Sequence, residues 1–199
     1  MSVDSIKLRI FNAALRQAQA PRIARLDETS ASAIACSDLY DQVFDQAMME
    51  FEWPWARTRL AVTADATDPI GDTWDARYAL PADFLRIHDI STDGINEYVI
   101  EGGYLLCNDD SGITLVYFQN DVPITSASII FKRLVEKRMA SALASDLSHD
   151  RILSRQLSLE TAEIVELAHH ECSGWSREEA PLSLKAPGYS GRLPHYGNI

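Results

Sequence analysis

The stretch Tyr78-Ala-Leu-Pro-Ala-Asp-Phe-Leu-Arg-Ile-His-Asp-Ile90 divides the chain into two unlike patterns. Upstream, helical periodicity ends in the aromatic knot Phe51-Glu-Trp-Pro-Trp-Ala56. Downstream, short alternating runs are broken by Gly and Asp before helical periodicity returns. Pro81 has no amide hydrogen and biases Ala79-Leu80 towards extended geometry. Phe84, Ile87 and Ile90 then resume an apolar pattern. The stretch therefore predicts a strand, a tight proline corner and a second strand. Together they seat a small β module on a helical body.

Residues 4–17 read as a first helix, with Asp4 as N-cap and Ile6, Ile10, Phe11, Ala14 and Leu15 on one face. Pro21 stops it. Thr29 or Ser30 caps a second helix reaching about Phe51. Its apolar stripe is Cys36, Leu39, Tyr40, Val43, Ala47 and Phe51, and Asp38, Asp41, Asp45 and Glu50 form an acidic opposite face. Two tryptophans around a proline, Trp53-Pro54-Trp55, make a stiff apolar wedge. Residues 57–63, 77–80, 85–91, 97–101, 104–108 and 113–119 read as strands. The breakers between them, Asp93-Gly94, Gly102-Gly103 and residues 109–112, are turn chemistry. Pro123 with Thr125 or Ser126 opens a third helix, in which Ile130, Phe131, Leu134, Val135, Ala142 and Leu143 recur at helical spacing. Lys132, Arg133, Lys137 and Arg138 are the dense basic cluster of the chain. Ser148 caps a fourth helix to about Trp175, with a short break near His149.

Each helix pair alone has too little apolar face to bury, so the four are expected to pack together. The predicted fold class is α+β: a four-helix bundle with an inserted small antiparallel β module and an extended C-terminal arm. Residues 1–55 and 120–179 would form the bundle, 56–119 the insertion and 180–199 the arm. Phe51, Trp53, Trp55, Tyr78, Pro81 and Phe84 are expected to pack at the junction between bundle and insertion. The arm is rich in Pro and Gly and has no period with which to bury a face of its own. It still carries Leu182, Leu184, Tyr189, Leu193 and Tyr196, with Lys185 and Arg192 as cations, which suits a segment that docks on a partner.

The net charge of −11 argues against a protein that grips nucleic acid through its phosphates, although not against one that nucleic acid slides past. No run of eighteen apolar residues is present for a membrane span. The first residues lack the basic-then-apolar order of a signal peptide. Cys36, Cys107 and Cys172 are widely spaced and read as free buried thiols in a reducing compartment.

Candidate chemistry is sparse. His169 and Cys172 could share a helix face, but two ligands fall short of a zinc set, and the adjacent His170 points elsewhere. His88 and Asp89 are strand neighbours on opposite faces, so they form no dyad. Asp109-Asp110 sits where a turn expects Asp. No catalytic constellation, metal site or cofactor site is expected.

The order of the words Trp53-Pro-Trp-Ala-Arg57, Tyr78-Ala-Leu-Pro-Ala-Asp-Phe-Leu-Arg86, Tyr98-Val-Ile-Glu-Gly102, Leu105-Leu106 and Leu115-Val-Tyr-Phe118, closed by Phe131-x-x-Leu134 and a long helix, resembles the head-to-tail adaptor family of tailed bacteriophages. That family includes the tail tubular protein A of short-tailed phages. The resemblance covers about residues 4–180. It implies a structural virion protein at the head–tail junction, made in the host cytoplasm. It further implies a ring of twelve copies between the portal protein and a tail or nozzle protein. The ring would surround the DNA exit channel without specific DNA binding, contact no membrane and hold no cofactor. The arm residues Leu182, Leu184, Lys185, Tyr189, Arg192, Leu193 and Tyr196 would be the portal contact. Two other classes remain open from the residues alone. One is an acidic cytoplasmic module docking a partner through its C-terminal arm, and the other a carboxylate-dependent cell-wall hydrolase.

Overall fold

A computed structural model describes residues 2–65, 73–91 and 97–178. The order of elements is α1 (Val3–Gln17), α2 (Ala31–Glu50), a 3-10 turn (Pro54–Ala56), β1 (Arg57–Val62), β2 (Ala76–Ala79), β3 (Phe84–Ser91), β4 (Tyr98–Glu101), β5 (Tyr104–Cys107), β6 (Ile113–Gln119), α3 (Ile129–Asp146) and α4 (Arg151–Glu178). The strands form two antiparallel three-stranded sheets, ordered β1-β6-β3 and β2-β5-β4.

This is an α+β fold, and the expected four-helix bundle is not what forms. A bundle helix buries one stripe, whereas the buried residues of α3 run most of the way around it: Phe131, Leu134, Val135, Met139, Ala140, Leu143 and Ala144. α3 is a central rod on which α1, α2 and α4 each pack. The β part shares residues with the helical core. Phe118 of β6 is buried in the helical core, and Leu85 of β3 packs against it. Ile113, Leu115 and Tyr117, the alternate residues of β6, join Ala76, Tyr78, Leu105 and Cys107 of the other sheet in a second core. The period of two thus splits one strand between two cores. The sheet β1-β6-β3 is a middle layer, with helices on one face and β2-β5-β4 on the other.

β3 explains the odd spacing of Phe84, Ile87 and Ile90. A regular strand would put residues three apart on opposite faces. Register shifts between Phe84/Arg86 and Ile87/Asp89 re-phase the strand twice. All three apolar side chains then pack on the same core between the sheets.

The helix starts also differ from expectation. Ser2, not Asp4, caps α1 by accepting from the Ser5 amide at 3.2 Å. Of the two expected caps Thr29 and Ser30, Ser30 caps α2. α3 begins at Ser128, whose hydroxyl accepts from the Phe131 amide at 3.1 Å, and not at Pro123–Ser126. Residues 123–126 instead close a turn that buries Ile124 and Ala127. Before α4, His149 takes a φ of 50°, and Asp150 accepts from the Ile152 and Leu153 amides at 3.0 and 2.9 Å. Ser148 is pulled away from the cap because its hydroxyl donates to the Ala18 carbonyl at 2.5 Å.

Candidate assembly surfaces and the sheet–helix brace

The C-terminus of α2 has no glycine and no basic residue in its last turn, so its final carbonyls need other donors. The chain supplies them from two of its aromatic-rich words. The Trp53 indole N–H donates to the Ala47 carbonyl at 2.8 Å. The Arg86 guanidinium donates to the Met49 carbonyl and lies 3.5 Å from that of Met48. One strand of the middle sheet is thereby pinned to the end of α2.

The rest of the Tyr78–Arg86 word braces the two sheets. The Tyr78 hydroxyl donates to the Asp109 carbonyl at 2.6 Å and accepts from the Gly112 amide at 3.3 Å. The Leu80 amide donates to the Gly103 carbonyl, and the Phe84 amide to that of Pro81, both at 3.0 Å. The Asp83 carboxylate accepts from the Tyr117 hydroxyl at 3.0 Å. Burial and that carboxylate push the Tyr117 phenol up to about 12.

The six junction residues divide between the two cores. Phe51, Trp53 and Trp55 belong to the helical one, where the Trp53 ring meets Phe51, Phe131 and Trp55 at centroid distances of 5.2, 5.1 and 6.0 Å. Tyr78 and Phe84 belong to the core between the sheets, and Pro81 is half-buried at the corner that joins them. Leu182, Leu184, Lys185, Tyr189, Arg192, Leu193 and Tyr196, expected from the sequence to contact a partner, lie outside the described residues, as does the expected turn at Asp93-Gly94.

The residues weighed for chemistry are dispersed. The His169 ring meets the edge of Phe51 at 5.0 Å, and Glu171 accepts from the Ser128 hydroxyl at 3.0 Å. Burial, with Glu171 and Glu52 nearby, pushes the Cys172 thiol up to about 12. His88 lies 3.7 Å from Glu52 and 3.3 Å from Arg57, while Asp89 accepts from the amide of Ile90. Asp109 accepts from the Ser111 hydroxyl at 2.6 Å and its amide at 2.9 Å, which lowers its carboxyl below the ordinary range. Among the described residues, no group of three or more His, Cys, Asp or Glu could hold a metal ion. Among them, too, no helix is long and apolar enough to cross a membrane.

Two surfaces stand out on the helical layer. Between α1 and α3 runs a groove of about 450 Å³, lined by Ile6, Arg9, Ile10 and Ala13 from one helix and Ile129, Lys132, Arg133 and Glu136 from the other. Ile129 on its rim is 72% exposed. The sequence shows the basic cluster but not this groove, because the cluster divides on folding. Lys137 pairs with Glu160 at 2.5 Å and Arg138 pairs with Glu50. The Lys132 ammonium donates to the Ala127 carbonyl at 2.6 Å beside the groove, and Arg133 is exposed. The second surface is the outer face of α2, where Asp38, Asp41 and Asp45 stand between the exposed Ile34 and Met49. Compared with known proteins, the chain matches no family model and no curated protein.

Proposed function

We propose that the chain is a structural virion protein, a head-to-tail adaptor that forms a ring between portal and tail around the DNA exit channel. The observation that carries this reading is the ordered series of words from Trp53-Pro-Trp-Ala-Arg57 to the long final helix, which resembles that family. The fold gives these words a common purpose. Trp53 and Arg86 close α2, and Tyr78 and Asp83 tie the sheets. Such a brace suits a rigid block that must hold its shape within a ring. Large exposed apolar side chains on the helices, Ile34, Met49, Ile129, Ile152, Leu159 and Leu167, suit side-by-side packing of copies. The net charge of −11 suits a channel that duplex DNA passes without adhering.

The test uses portal-bearing heads. The full-length chain should sediment with them at about twelve copies per head, and not with heads lacking portal. A chain shortened by residues 181–199 should fold with an unchanged circular dichroism spectrum and fail to attach. Attachment of the shortened chain at wild-type yield removes the portal-contact role of the arm. No attachment of the full chain removes the adaptor reading itself.

A further inference from the structure

We infer that the groove between α1 and α3 receives the outer face of α2 from a second copy of this chain, making a head-to-tail contact. This rests on the ring reading for its biological setting.

The first support is charge. In a chain of net charge −11, the groove gathers Arg9, Lys132 and Arg133 around an apolar floor, with Glu136 as its one acid. The opposing face carries acids and no cation: α2 contains no Lys or Arg. Asp41 keeps its side chain 83% exposed even though Lys7 lies 3.8 Å away. Asp38 and Asp45 make no ion pair with another described residue. Complementary fields of this kind set register and exclude wrong partners.

The second support is spacing. At 100° per residue, Ile34, Asp38, Asp41, Asp45 and Met49 fall within one stripe of α2, ordered apolar, acid, acid, acid, apolar. Asp38 to Asp45 covers seven residue steps. So does each wall of the groove, Ile6 to Ala13 and Ile129 to Glu136. All three therefore run about 10 Å. The acids of one copy can then lie along the cations of the next, with Ile34 and Met49 reaching apolar surface beyond them.

The third support is direction. Phe131 of α3 meets Phe44 of α2 at a centroid distance of 5.1 Å. Ile129, Arg133 and Glu136 lie on the far side of α3 from Phe131, and the acidic stripe lies on the side of α2 away from its own buried face. The two surfaces are different and face away from each other. Such a contact is heterologous, which closes into a ring or grows into a filament but does not stop at a symmetric pair.

The experiment is sedimentation velocity of the full chain over a concentration series at low and moderate salt, with Arg133→Glu and Asp45→Lys as variants. Both positions are exposed, and circular dichroism checks that each variant is folded. Wild type should form species larger than a monomer that dissociate as salt rises. Each single variant should associate at least about tenfold more weakly. An equimolar mixture of the two should assemble again, because each altered surface meets its complement on the other chain. Zero-length carbodiimide coupling of mixed light and heavy-isotope chains should join Lys132 to Asp38, Asp41 or Asp45 between chains. The inference is overturned if wild type stays monomeric, if a single variant assembles as wild type does, or if the mixture does no better than its components. Tight binding of a short DNA duplex at physiological salt, lost in Arg133→Glu, would also overturn it by making the groove a nucleic-acid site. Normal attachment of both variants to portal-bearing heads would remove this contact and leave the adaptor role standing.

Discussion

Truncating Trp53 to alanine tests the closure of α2 most directly. The side chain is 1% exposed and its ring contacts Phe51, Phe131 and Trp55. Removing a buried aromatic of this size costs ~3–5 kcal/mol. The Ala47 carbonyl then loses the indole donor, which adds about 1 kcal/mol. The expected loss is about 4–6 kcal/mol, and at a urea slope of roughly 2 kcal/mol/M the unfolding midpoint falls by about 2–3 M. Trp53→Phe separates the two contributions: it keeps most of the ring, orphans the same carbonyl and costs about 2 kcal/mol. Trp55 is the internal control, because its indole nitrogen is buried with no hydrogen-bond partner among the described residues. Trp55→Phe therefore gives up no such bond and should cost less than Trp53→Phe. Helix ellipticity followed through urea titration measures all three. A Trp53→Ala midpoint within 0.5 M of wild type, or Trp55→Phe costing as much as Trp53→Phe, refutes the reasoning (about 0.5 M being roughly 1 kcal/mol at that slope).

Three further outcomes are expected. Burial raises the Glu136 carboxyl above its ordinary value against the pull of Arg16, Lys137 and Arg133, so the stability it contributes is present below the unfolded pKa and lost as pH rises through the folded one. Glu136→Gln should gain stability relative to wild type as pH goes from 4 to 7, and a urea-midpoint difference that does not change over that range counts against this. Cys36 and Cys172 are pushed up to about 11 and about 12, mainly by burial, so at pH 8 a disulfide reagent should modify both far more slowly in the native protein than in urea; equal rates would show that these thiols are not enclosed. Gly103 closes the β4–β5 hairpin at a φ of 83° with nothing near a would-be Cβ, so Gly103→Val should cost about 1 kcal/mol or more through the backbone alone, read as a lower melting temperature.

The strands were legible because their punctuation is chemical. Gly102-Gly103 and residues 109–112 mark turns that the chain makes, and the ends of β1, β2, β4, β5 and β6 fall within a residue of expectation. What failed was the inference from stripes to architecture. The third helix showed Ile130, Phe131, Leu134, Val135, Ala142 and Leu143 at helical spacing, but Met139, Ala140 and Ala144 are buried as well, and the two alanines carry little hydrophobic signal. A helix buried most of the way around was therefore read as one with a single apolar face, and a bundle followed. The bulges of β3 were invisible for a similar reason: spacing by three looks irregular until a register shift makes it regular. Ser128 lost out as a cap because Thr125 and Ser126 offer the same chemistry sooner; the burial of Ile124 and Ala127 decides between them. The candidate groove was hidden because the four clustered cations are identical in sequence terms, and only their partners Glu160 and Glu50 distinguish the two that are used internally.

The place of α3 in the chain has a consequence for synthesis. The helix at the centre of the helical layer, at residues 129–146, is made after α1, α2 and β1 to β6. At ~5–20 residues per second, Phe11, Leu15, Met48 and Trp53 wait several seconds for the surface that covers them. β6 closes the middle sheet before α3 emerges, so the strands can settle while the first two helices still lack their core. A released chain ending at residue 128 should present α1 and α2 as protease-sensitive, and one ending at residue 146 should protect them. Protection already complete at 128 would show that the first two helices do not depend on the third.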